Sequence, residues 1–69
     1  MKRVTFKVYE IEHNGDLDAA VAGIKKAGGK EVKVLESSFG SYGDATISAL
    51  LPDDRKAFVA VLEEEGVCL

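Results

Sequence analysis

His13 and Cys68 are the only histidine and cysteine in this 69-residue sequence, and so the only side chains suited to imidazole or thiol chemistry or to a soft metal. A histidine can act as a general base because it titrates near neutrality. His13 has no nucleophile or orienting carboxylate at a fixed useful spacing, so its simplest role is that of a polar turn residue. A reactive thiol needs a helix N-terminus or a cationic neighbour. Cys68 instead follows Glu63-Glu64-Glu65, and reads as a small apolar side chain or an incidental free thiol. Two soft ligands do not make a metal site. Asp53-Asp54 and Glu63-Glu64-Glu65 could suggest a hard cation, but neighbouring carboxylates on a helix point apart and do not converge. No catalytic set, metal site or cofactor motif is therefore expected.

The segment His13-Asn14-Gly15-Asp16 lies where a strand should feed a helix. Free N–H groups at such a place can hold an anion or a carboxylate. These four residues are the candidate small-ligand site, with simple helix capping by Asp16 as the plainer explanation. The spacing matches no dinucleotide or phosphate-loop pattern. The second candidate is the Gly-rich stretch Ser38 to Asp44. Phe39, Gly40, Tyr42 and Asp44 either fold back on the domain edge or reach a partner.

Composition sets the frame for these residues. The chain is 46% hydrophobic and 30% charged, an ordinary globular balance that disfavours disorder. The net charge of −3 argues against a general nucleic-acid binder. No aromatic pair suited to base stacking is evident on a central strand. Residues 1–35 hold seven Lys/Arg against five Asp/Glu, and residues 36–69 hold two against seven. The asymmetry reads as a solvated surface with one biased helix, or as pairing between subunits. No segment reads as an export signal or a membrane span, and the single cysteine fits a reducing cytoplasm.

The pattern of apolar residues places these groups on elements of one domain, residues 1–69. Val4, Phe6 and Val8 alternate with Arg3, Thr5, Lys7 and Tyr9, which predicts a strand within Lys2 to Glu12. Asn14-Gly15 favours a positive-φ turn, with Asp16 as the cap of the helix that follows. Leu17, Ala20, Val21, Ile24 and Ala27 form a helical stripe that Gly28-Gly29 ends. Glu31 to Ser37 predicts a second strand, with Val32 and Val34 on its core face. Asp44 to Leu51 predicts a third, with Ala45, Ile47, Ala49 and Leu51 inward. A hairpin should join these two strands. Pro52 suits a first helical turn, and Ala57, Phe58, Val61 and Leu62 form the second stripe, which Gly66 stops. Val67-Cys68-Leu69 is long enough only for a short fourth strand.

The order β-α-β-β-α implies an α+β, two-layer, ferredoxin-like sandwich with both helices on one sheet face. The other face should carry Arg3, Thr5, Lys7, Tyr9, Lys33, Leu35, Thr46, Ser48 and Leu50. Domains of this size bury only about 60% of their unfolded surface. A second copy covering Tyr9, Leu35 and Leu50 is thus a natural supplement, and a homodimer through the sheet face is the favoured assembly.

Two family resemblances add expectations. Gly28-Gly29-Lys30, Phe39-Gly40-Ser41-Tyr42-Gly43-Asp44 and Leu51-Pro52-Asp53-Asp54 resemble the GYD-domain family across about residues 20–62. That likeness implies a dimeric α+β barrel without a settled activity. Asn14-Gly15-Asp16-Leu17 resembles the turn of ACT domains, regulatory modules that bind amino acids at subunit interfaces. It implies ligand contact through backbone groups around Asn14 to Leu17. Three readings follow: a non-enzymatic self-associating domain that binds a small ligand or partner, an enzyme of the dimeric barrel type using His13 or Tyr42, and an amino-acid-sensing module.

Overall fold

The computed structural model describes all residues 1–69. Strand β1 (Lys2–Tyr9) leads to helix α1 (Asn14–Lys26), strands β2 (Lys30–Ser38) and β3 (Asp44–Leu51), and helix α2 (Arg55–Glu64). The sheet order is β1-β3-β2, with β3 antiparallel to both neighbours. Strands β1 and β2 therefore run parallel with β3 between them, the split β-α-β arrangement of ferredoxin-like folds. No helix is long and apolar enough to cross a membrane.

The two-residue period of β3 decides the layers. Ala45, Ile47, Ala49 and Leu51 are buried under the helices, joined by Val8 from β1, Ile24 from α1, and Phe58 and Leu62 from α2. Phe6 meets Phe58 edge to face, with ring centroids 6.5 Å apart and planes at 84°. Ile11 and Val67 also enter the core, although neither belongs to a periodic stripe.

Both helices end by the same device. Gly28 (φ 108) and Gly66 (φ 76) take the left-handed conformation after the last turn. Gly28 N–H and Gly29 N–H donate to the Lys25 and Ile24 carbonyls; Gly66 N–H and Val67 N–H donate to those of Glu63 and Leu62. These paired bonds satisfy carbonyls that the helix leaves free. The second set also steers Val67 into the core beside Leu62.

Several expectations are corrected. Strand β1 stops at Tyr9, because Glu10 has a positive φ of 61. Helix α1 starts at Asn14, so Asn14-Gly15 is its first turn rather than a positive-φ bend, and the N-cap is His13 in place of Asp16. Pro52 stays outside α2, which Asp54 caps by accepting from Ala57 N–H at 3.1 Å. Ala57 is exposed, and Val59 packs on the core from the same helix.

Val34 is 42% exposed although it pairs with the fully buried Ile47. The cause is its place on the edge strand. Strand β2 carries register shifts between Lys30 and Lys33 and between Val34 and Glu36, and Glu31 has a positive φ of 49. Such bulges bend an edge strand away from regular cover. The fourth strand amounts to one antiparallel bridge, Tyr9 to Cys68, in which Tyr9 N–H donates to the Cys68 carbonyl at 2.7 Å.

Candidate functional site

Of the predicted ligand-binding residues, His13 works as a helix cap. Its Nδ1 accepts from Gly15 N–H at 3.1 Å, and its Nε2 lies 3.7 Å from Asp16 Oδ2. That same carboxylate oxygen accepts from Glu12 N–H at 2.9 Å. The arrangement ties the chain entering α1 to the first turn. His13, Asn14 and Gly15 stay exposed, whereas Asp16 is half-buried. Asp16 lines a cleft of about 220 Å³ with Glu10, Ile11, Glu65, Val67 and Cys68. This volume lies below the roughly 300–1,000 Å³ of sites for drug-sized ligands. No group of three His, Cys, Asp or Glu side chains converges anywhere in the chain.

The hairpin residues point outward. Tyr42 is 99% exposed and Phe39 is 46% exposed. Tyr42 and Asp44 share a shallow open cleft with Tyr9 and Glu10, while Phe39 stands apart from it. Gly40 belongs to the turn, where its N–H donates to the Ile11 carbonyl at 3.3 Å.

The open sheet face does not bring Tyr9, Leu35 and Leu50 together. Leu50 lies between Arg3 and Lys30, while Tyr9 pairs with Asp44 at the other end of the ladder. Six residues along a strand separate these positions by roughly 20 Å. Leu35 is the extra residue of a bulge and is 55% exposed. Between them lie charged and hydroxyl groups. Arg3 Nη1 donates to Ser48 Oγ at 2.9 Å, Arg3 pairs with Glu31 at 3.5 Å, and Lys7 pairs with Asp44 at 3.6 Å.

A site that the sequence did not point to lies along the outer edge of β1. In an antiparallel ladder both polar groups of a residue turn to one side, alternating along the strand. Tyr9 turns its N–H outward to Cys68. The same alternation turns the N–H and C=O groups of Lys7, Thr5 and Arg3 outward, where no strand pairs with them. Beneath this edge runs a groove of about 200 Å³ lined by Val4, Phe6, Leu51, Phe58, Val59 and Leu69. Lys7 and Arg55 also line it. The alternation in residues 4–8 signals a covered face, but it carries no mark of which edge is open. The charges at Lys2, Arg3 and Lys7 are the one cue, because exposed edges are commonly rich in lysine.

These features define a class: a small α+β domain with an unpaired edge strand above an apolar groove. Comparison with protein families, with curated proteins and with solved structures finds no match to this chain.

Proposed function

We propose that this chain is a small non-enzymatic binding domain that accepts an extended segment along β1. The observation that carries the reading is the row of unpaired backbone groups at Arg3, Thr5 and Lys7 directly above an apolar groove. Added strands are held by main-chain hydrogen bonds, and alternate side chains entering a groove select them. At Tyr9 the same edge already donates to an antiparallel partner, the Cys68 carbonyl. Self-association through the open sheet face has weaker support, since polar and charged residues divide Tyr9 from Leu50.

The test uses a neutral strand-forming peptide, Ac-Ser-Thr-Val-Thr-Val-Thr-Ser-NH2, at millimolar concentration. Amide exchange of Arg3, Thr5 and Lys7 should slow when the peptide is present. Thr5→Pro removes one outward donor while leaving the β1–β3 ladder bonds in place, and should abolish the protection without unfolding the domain. Protection that is absent, or that survives Thr5→Pro, overturns the reading.

A further inference from the structure

We infer that Asn14 is a site of spontaneous covalent modification, at which the chain slowly rebuilds its own backbone, and that the His13–Asp16 cap sets the rate. The reaction needs no ligand or enzyme, only water. The Gly15 nitrogen attacks Asn14 Cγ and the Cγ–Nδ2 bond breaks. The amide group leaves as ammonia and carries away the Gly15 proton, so the first product is a cyclic imide. Water then opens the ring at either carbonyl. Opening at Cγ leaves aspartate at residue 14. Opening at the backbone carbonyl leaves isoaspartate, in which the chain runs through the former side chain.

The attacking nitrogen has to be unhindered and outside the helical ladder. Gly15 has no Cβ to shield it. Its N–H is among the first of α1, which find no carbonyl four residues back, and it donates to His13 Nδ1 instead, at 3.1 Å. Asn14 and Gly15 are both exposed, so water reaches the amide and the imide. The remaining requirement is rotation. A helical ψ of about −42° holds the following nitrogen away from the side-chain carbon, so Asn14 must leave the helix before the ring closes. Only the cap opposes this. The His13 carbonyl accepts from Asp16 N–H at 3.0 Å and from Leu17 N–H at 3.4 Å, and Asp16 Oδ2 accepts from Glu12 N–H at 2.9 Å. Glu12 and His13, which must absorb the rotation, are exposed, while the buried Ile11 and Ala20 on either side stay in place. Helix ends fray, and this end frays without opening the core. The two products differ in effect. Aspartate at residue 14 adds a negative charge where the helix dipole favours one. Isoaspartate inserts a methylene between His13 and Gly15 and draws the Gly15 N–H away from its imidazole partner.

Asn14 is the sole asparagine and the chain has no glutamine, so loss of a side-chain amide from the whole protein reports on this residue alone. The experiment holds the protein at constant, mildly alkaline pH and follows its mass over time. Trypsin then releases residues 8–25 as one peptide, in which aspartate and isoaspartate forms separate by chromatography. Both forms should accumulate, more slowly than in the free peptide Ac-Glu-His-Asn-Gly-Asp-Leu-NH2, which has no helix to hold it. His13→Ala should speed the reaction about fivefold, the change in open population that losing a typical helix cap implies. Asp16→Ala, which removes a different bond of the same cap, should act in the same direction. His13→Ser supplies a standard capping hydroxyl and should return the rate close to that of the unaltered protein. An amide still intact long after the free peptide has reacted completely would overturn the site. Equal rates in the unaltered, His13→Ala and Asp16→Ala proteins would overturn control by the cap, as would His13→Ser reacting as fast as His13→Ala.

Discussion

Gly43 approaches Ile11 so closely that a Cβ on Gly43 would lie 1.8 Å from the Ile11 carbonyl oxygen. Ile11 N–H donates to the Gly43 carbonyl at 3.2 Å, and the Ile11 carbonyl accepts from Gly40 N–H at 3.3 Å. The chain leaving β1 is thus stitched to the turn between β2 and β3. This contact holds the buried Ile11 in the core and fixes the start of α1 three residues later.

Gly43→Ala should be among the most damaging single changes in the chain. A methyl group cannot fit without separating Ile11 from the turn. A loss of about 3 kcal/mol or more is expected, at the upper end for point substitutions. Ser41→Ala, at an exposed position in the same turn, should change stability by about 0.5 kcal/mol or less. Urea denaturation followed by circular dichroism checks the contrast, and equal effects would contradict the close approach.

Phe58 and Val34 should separate cleanly. Phe58 is 3% exposed and Val34 is 42% exposed. Phe58→Ala should cost about 3–5 kcal/mol through lost burial and a cavity. That compares with a total of roughly 3–10 kcal/mol for a domain of this length. Val34→Ala should cost less than about 1 kcal/mol, because most of the removed surface is not taken from water on folding. Denaturation midpoints showing Val34 to be the costlier site would mean that β2 is covered after all.

Lys26 gives the one pH-dependent expectation. Its ammonium is held above the ordinary lysine value of 10.5 by a hydrogen bond to Glu65, 2.9 Å away, and by the charges of Glu65 and Glu64. A raised value in the folded state means that the contribution is present in full below the ordinary value. It is lost as pH rises through the raised one. Lys26→Gln should therefore lower the denaturation midpoint by a small, constant amount through neutral pH. The difference should vanish in strong alkali, and a difference that grows with pH would contradict the pairing. The pair is exposed, so the effect is also expected to shrink with added salt.

Much of the architecture is readable before any coordinates. The two-residue alternation of Val4, Phe6 and Val8 and of Ala45, Ile47, Ala49 and Leu51 locates the core face of β1 and β3. The helical stripe from Leu17 to Ala27 locates α1, and Gly28 and Gly66 mark where the helices stop. The open edge of β1 is another matter. The polar residues that drew notice as a ligand site, His13 and Asp16, turn out to accept backbone N–H groups of the turn that they close.

Sequence alone determined the order of the helices and strands and the apolar faces of β1, β3 and α1. Those properties follow from backbone geometry repeated over a few neighbouring residues, and they leave a period in the chain. Tertiary structure alone decided that Ile11 and Val67 are buried, that β2 bulges at Glu31 and Leu35, and that β1 is left open along Arg3 to Lys7. The burial and the open edge depend on what a distant segment does: Gly43 receiving Ile11, Gly23 lying against Val67, and Cys68 pairing with Tyr9 at a single point. Contacts between residues far apart in sequence leave no local period, so only the folded chain displays them.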